Sequence, residues 1–200
     1  FCAGGDLGWM RAQMEADRAT RMAEARRLAD MLGALDAMEV PLVARVQGQA
    51  FGGGLGLIAV ADIAVAAEGA RFGLTETRLG LVPATIGPHV AAKLGRARAR
   101  EVFFTGRLFG AAEGVRLGLV SRAVAPEALD EAVEAEIAPV LACAPTAVAR
   151  AKRLLRELAE PVPPEAVERS VAALADQWET EDAAAGIAAF FDKRRPPWAS

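Results

Sequence analysis

The stretch 48–59, GQAFGGGLGLIA, sets five glycines into twelve positions between two apolar segments. A glycine inside a helix or strand is destabilising by roughly 0.5–1 kcal/mol relative to alanine. A cluster this dense therefore needs a geometric reason. Three are available: a tight strand–turn–helix packing, a cradle for nucleotide phosphates, or a bare main chain presented to a reacting carbonyl oxygen.

The flanking sequence limits the choice. LVARVQG reads as a short buried strand running into the glycines, and GLGLIAVA as a short buried helix with Asp62 near its end. DIAVAA is strand-like, EGA turns, and RFGL resumes a strand. Upstream, Leu28, Met31, Leu32, Leu35 and Met38 recur at helical spacing, which predicts one long helix from Arg11 to Met38, ended by Pro41. Pro88 suits the first turn of another helix, where its missing N–H costs nothing. From about residue 125 the pattern changes. PEALDEAVEAEIAPVLA, PTAVARAKRLLRELA and PPEAVERSVAALADQWETEDAAAGIAAFF read as three helices, each opened by proline. The expected organisation is a mixed α/β part over 1–125 and a helical part over 126–200.

Composition excludes several function classes. The 200 residues are 53% hydrophobic and 24% charged with a net charge of -3, an ordinary balance for a globular protein that points to no nucleic acid or membrane-surface partner. Cys2 and Cys143 have no metal-binding spacing and read as free thiols. His89 is the single histidine, so no multi-histidine metal site is expected and a hydrolase triad is disfavoured; no GxSxG elbow is present either. No apolar run reaches membrane-spanning length and no secretory signal is seen, which makes a cytoplasmic location the expectation.

Each reading of the glycines makes a further demand. Gly54, Gly56 and Ala59 fit GxGxxA, with Glu76 at roughly the distance of a ribose-binding acid. In a dinucleotide site the motif opens immediately after its strand, yet Gly54 stands several residues beyond ARVQ, and Glu76 follows a turn and a further strand. In the carbonyl reading, a helix that begins inside GGG exposes N–H groups without intrahelical partners at the positive end of its dipole. A second donor loop is then required, and FCAGGDL at residues 1–7 supplies a candidate.

At this point the sequence resembles a known family, the crotonase or enoyl-CoA hydratase/isomerase superfamily. The resemblance rests on FCAGGDLGWM, VQGQAFGGGLGLIAVADIAVAAEGARFGLTETRLGLVP, FFTGRLFGAAEGVRLGLVSRAV and GIAAFFDKRRPPW, in order and at family spacing. It implies a crotonase-like α/β fold, a superhelix of ββα turns with a helical C-terminal part that forms homotrimers or homohexamers. In family members several strands precede the FCAGGDL motif, within which this chain starts. The resemblance also implies an acyl-CoA thioester substrate, with coenzyme A as part of the substrate and no metal or redox cofactor. By it, the oxyanion donors are the N–H groups of Gly5 and Gly53, and Ala3, Gly5, Asp6, Leu7 and Gly53 bind the substrate. Glu76 matches the second catalytic glutamate of family hydratases, the group that handles the α-proton.

The sequence departs from that pattern at Gly56, the position of the first hydratase glutamate. A lone glutamate is characteristic of the double-bond isomerases, whereas the wording TETRLGLVPATIGPHV looks most like bacterial hydratases of branched, carboxylated substrates of the methylglutaconyl-CoA type. Hydration is the preferred reading, with isomerisation and a non-catalytic acyl-CoA-binding or assembly role as alternatives. His89 is a candidate neutral donor, or else a structural helix-start residue. Arg78 is a candidate for a distal carboxylate, or else a solvated or interface residue. Lys193 and Arg194 are candidates for a coenzyme A phosphate, or else a solvated basic tail. Val167, Val171, Leu174 and Trp178 form an apolar stripe on the C-terminal helices through which the chain is expected to oligomerise, or else a stripe that packs within its own chain.

Overall fold

Short β-branched and alanine-rich segments alternate with helices through the first two thirds of the chain, and this alternation sets the architecture. The computed structural model describes residues 1–158 and 164–198. Strands β1 (Val43–Val46), β3 (Ile63–Ala67) and β6 (Arg122–Val124) form one parallel sheet in the order β1-β3-β6, with Val43 beside Ile63 and Val65 beside Arg122. Strands β2 (Ala50–Phe51), β4 (Arg71–Gly73) and β5 (Phe109–Gly110) form a second sheet, β2 parallel and β5 antiparallel to β4. Strands adjacent in sequence thus go to different sheets, β1 and β3 to one and β2 and β4 to the other. With helix α3 (Gly53–Val60) between them, this is the crotonase-like ββα spiral that the resemblance implies.

The core explains why α3 is apolar on every side. Leu55 and Ile58 of α3 pack with Leu32, Val46, Phe72, Leu74, Ile86 and Phe109, all fully or almost fully buried. A helix buried all round needs no polar face. Helix α4 (Gly87–Phe103) starts with Pro88 in its first turn, as expected, and is broken internally at Gly95, whose φ of 73° and ψ of 152° leave the helical region.

Two expected helices are each divided. In place of one helix over 11–38 there are α1 (Leu7–Glu15) and α2 (Arg18–Asp36). The periodic apolar pattern runs through the break, but Asp17 caps α2 by accepting from the Thr20 N–H at 2.8 Å. Arg21 then reaches back to the carbonyls of Gln13 and Met14 at 2.9 and 3.1 Å, satisfying acceptors that the end of α1 leaves open. In the helical part, a short 3-10 turn (Pro126–Ala128) leads into α6 (Leu129–Leu141), after α5 (Ala111–Leu117), and α7 (Pro145–Leu158) follows. Lys152 ties α7 to the end of α3, its Nζ 2.6 Å from Asp62 Oδ2, which also accepts from the Leu42 N–H at 2.6 Å.

The last expected helix is likewise two, α8 (Pro164–Trp178) and α9 (Glu181–Phe191). Thr180 makes the break: its Oγ1 accepts from the Ala183 N–H at 3.1 Å and receives a bond from Gln177 Nε2 at 3.2 Å. Thr180→Ala is expected to destabilise the protein by about 1 kcal/mol, the usual cost of losing a side-chain cap. Chemical denaturation with an unchanged slope and a lowered midpoint would show it.

The stripe on α8 is used within the chain. Val171 is fully buried against Ala25 and Ala29 of α2, with Val167 and Leu174 beside them. Trp178 packs with Met10, Leu81 and Ile187. Of the two roles the stripe could take, packing within the chain is the one observed: α8 lies on α2 and covers it.

Candidate active site

The glycine stretch delivers a cavity wall. Phe51 of β2 donates its N–H to the Cys2 carbonyl at 3.0 Å, and the Cys2 N–H goes to the Gln49 carbonyl at 2.9 Å, so residues 1–3 lie alongside β2. The chain then turns at Gly4, with a φ of 98°, and enters α1. Gly54 keeps this segment close to α3: a Cβ there would sit 3.0 Å from both the Cβ and the carbonyl oxygen of Cys2. FCAGGDL and GGG, distant in sequence, are thereby placed side by side.

They open on a cavity of about 640 Å³ whose wall includes Ala3, Gly5, Leu7, Gly53 and Glu76. Gly53 is the first residue of α3, and a Cβ built there meets nothing within 4 Å. Among the described residues, neither the Gly5 nor the Gly53 N–H has a main-chain acceptor. Both are available donors on one cavity. The rest of the wall is mostly apolar, with Trp9, Met10, Leu57, Leu79 and Trp178 contributing from α1, α3, the turn after β4 and α8.

Glu76 opens the 3-10 turn Glu76–Leu79 that follows β4. Its residue as a whole is partly exposed, yet Oε2 is buried and has no hydrogen-bond partner among the described residues. Oε1 rests against Gly52: a Cβ at Gly52 would lie 3.0 Å from it. Gly52 has a φ of 49° and is the N-cap of α3, so one bare position serves both the turn and the carboxyl. Burial pushes the Glu76 carboxyl up to about 7, opposed only by the hydrogen bond from its own main-chain N–H. A carboxyl with that value can give and accept protons near neutral pH.

Not every expected residue reaches this cavity. Asp6 is exposed and caps α1, accepting from the Trp9 N–H at 2.8 Å, and it is not part of the cavity wall. His89 lies outside the wall, in the first turn of α4. Burial draws its pKa down while Asp36, at the end of α2, pushes it up. Lys193 and Arg194 are exposed beyond α9, with Arg194 Nε 3.2 Å from Asp192, and neither lines the cavity. Arg78 does line it. Thr85 and Ile86 also line the cavity; they stand within the segment TETRLGLVPATIGPHV, but an isolated threonine and isoleucine in a loop carry no signal that picks out either one.

The dinucleotide reading loses on packing. A strand does precede the glycines immediately, since β2 ends at Phe51, but Gly54 and Gly56 are buried and outside the cavity wall. A Cβ at Gly56 would lie 2.6 Å from Ile86 Cγ2 and 3.3 Å from Leu32 Cδ1. Neither glycine offers its main chain to a phosphate.

Comparison with known proteins bears on the family and the fold. The family described as enoyl-CoA hydratase/isomerase matches residues 1–200. The crystal structure of an enoyl-CoA hydratase from Mycobacterium avium superposes with a TM-score of 0.85 at 30% identity, covering 91% of this chain and 72% of that one. An enoyl-CoA hydratase from Shewanella pealeana is 37% identical, with a TM-score of 0.77 over 99% of this chain and 74% of that one. One from Mycobacterium smegmatis is 36% identical, with a TM-score of 0.76 over 100% of this chain and 77% of that one.

Proposed function

The chain belongs to the enoyl-CoA hydratase/isomerase family, and from that premise we propose that it hydrates a 2-enoyl-CoA thioester. The observation that carries the reading is the meeting on one cavity of a buried carboxyl at Glu76, whose Oε2 has no hydrogen-bond partner among the described residues, with two main-chain donors, Gly5 and Gly53, that have no main-chain acceptor among those residues. The thioester carbonyl lies between the two N–H groups, which take up the charge of the developing enolate. One such donor typically contributes about 3–4 kcal/mol to transition-state stabilisation. Protonated Glu76 delivers its proton to Cα, the oxygen of water bonds to Cβ, and the proton that the water releases restores the Glu76 carboxyl. The chemistry asks for donors and a carboxyl, and coenzyme A enters as part of the substrate.

Two finer elements belong to the same proposal. The acyl group extends to branched or carboxylated chains of the methylglutaconyl type, a reading supported by the sequence wording and by the presence of Arg78 on the cavity wall. The assembly is a homotrimer or homohexamer, a reading supported by the exposed Leu154, Leu155 and Leu158 of α7.

A second reading has its own observation. Glu76 is the only carboxyl on the cavity wall among the described residues, and a single acid/base suits transfer of a proton between Cα and Cγ, that is, double-bond isomerisation. Incubation with crotonyl-CoA in ¹⁸O-enriched water separates the two. Hydration removes the conjugated enoyl absorbance and places ¹⁸O at Cβ. Isomerisation instead creates that absorbance from a 3-enoyl thioester without oxygen incorporation. Label at Cβ is the expected result, and turnover of the 3-enoyl substrate alone would replace hydration by isomerisation.

A further inference from the structure

We propose that Arg78 is the anion-recognition residue of this cavity, binding either a carboxylate at the far end of the acyl chain or a phosphate of the coenzyme. The inference rests on the acyl-thioester reading above and adds to it the residue that selects a charged end. Among the described residues on the cavity wall, Arg78 alone carries a positive charge. No ion pair within the described residues uses it.

Its surroundings hold it in place without neutralising it. The side chain runs along Gly106: a Cβ at that position would lie 2.8 Å from Arg78 Cγ, 3.2 Å from its Nε and 3.0 Å from Thr77 Oγ1. Gly106 has a φ of 57°, so the turn that makes this groove favours glycine. The next residue, Arg107, meets Glu113 through both terminal nitrogens at 2.8 and 2.7 Å. Two arginines therefore flank Gly106: the fork of Arg107 is occupied by a carboxylate, and that of Arg78, a residue of the cavity wall, is in no ion pair among the described residues.

The charge of Arg78 is not spent on the reacting carboxyl either. Burial and the main-chain N–H of Glu76 act on that carboxyl, and no cation does. The guanidinium thus serves a group of the ligand away from the reacting carbon. A planar five-donor fork matches a carboxylate or a phosphate bidentately.

Equilibrium binding of four saturated thioesters tests this without requiring turnover: butyryl-CoA, glutaryl-CoA, butyryl-pantetheine and glutaryl-pantetheine. If the partner is an acyl carboxylate, Arg78→Gln weakens both glutaryl thioesters about ten-fold and leaves both butyryl thioesters unchanged. If it is a coenzyme phosphate, the same variant weakens both CoA thioesters about ten-fold and spares both pantetheine thioesters. Arg78→Lys keeps the charge without the fork and should fall between the two. Gly106→Ala displaces the Arg78 stem with the charge intact and should reproduce part of the loss, whether or not Arg78→Gln folds. Equal affinity of parent and variants for all four ligands, with crotonyl-CoA still hydrated by the parent, overturns the role of Arg78 alone. A parent that binds none of the four overturns the acyl-thioester reading as well.

Discussion

Glu76→Gln should lower turnover by roughly two to four orders of magnitude, the usual contribution of a positioned acid/base. The amide keeps the size of the carboxyl and its seat against Gly52, and the Gly5 and Gly53 donors are main-chain groups that the change leaves in place. Acyl-CoA affinity should therefore change little while kcat falls. Near-normal rates in the variant would remove Glu76 from the chemistry.

The same substitution has a stability signature with a defined sign. Burial raises the Glu76 carboxyl from the ordinary 4.5 to about 7, so the folded protein holds this proton more tightly than the unfolded chain. The stability linked to that proton is fully present below about 4.5 and is lost as pH rises through about 7. The difference corresponds to about 3 kcal/mol as an upper value. Glu76→Gln lacks the titration, so its melting temperature should exceed the parent's at pH 8–9, and the gap should narrow progressively as pH falls toward 5. An equal gap at both pH values would mean that the carboxyl is not desolvated.

Gly56→Glu should be severely destabilising and should not improve hydration. By family resemblance this is the position of the first hydratase glutamate, so on sequence alone the substitution completes a pair. Packing forbids it. The new Cβ would lie 2.6 Å from Ile86 Cγ2, 3.1 Å from Ile86 Cβ and 3.3 Å from Leu32 Cδ1, and both partners are almost wholly buried. Overpacking a core costs about 1–3 kcal/mol, and a carboxyl buried there without partners adds further to it. The sum is on the order of 5 kcal/mol, which for a chain of this size lowers the melting temperature by roughly 10 °C or more. A variant that melts with the parent and hydrates crotonyl-CoA faster would show that Ile86 yields.

The sequence by itself determined the class of fold and the parts of the cavity that are main chain. Apolar runs of four to six residues alternating with helical patterns lead to short strands and helices. Glycines at FCAGGDL and GGG mark backbone that has to turn or be approached closely, as the φ values at Gly4 and Gly52 show. Pro88 and the segment around Glu76 were legible for the same local reason. Cap, turn and periodicity are written in neighbouring residues.

What only the tertiary structure decided depends on residues far apart in the chain. The helical pattern runs unbroken through Asp17 and Thr180, and either residue can sit in a helix or cap one. At each place distant partners hold the break: Arg18, beside the Asp17 cap, pairs with Asp176, and Gln177, which donates to Thr180, also donates to the Gly80 carbonyl. The stripe on α8 was visible as apolar, but its partner was not, because an apolar face is indifferent to whether Ala25 and Ala29 or another subunit covers it. Asp6 and His89 carry chemistry in principle, and their positions turn them to capping and to the neighbourhood of Asp36. Glu76 shows the division most clearly. Its identity is local, but its value of about 7 comes from the walls that exclude water from it, and those walls exist only once the strands, α3 and the loop from Glu76 to Ile86 have folded together.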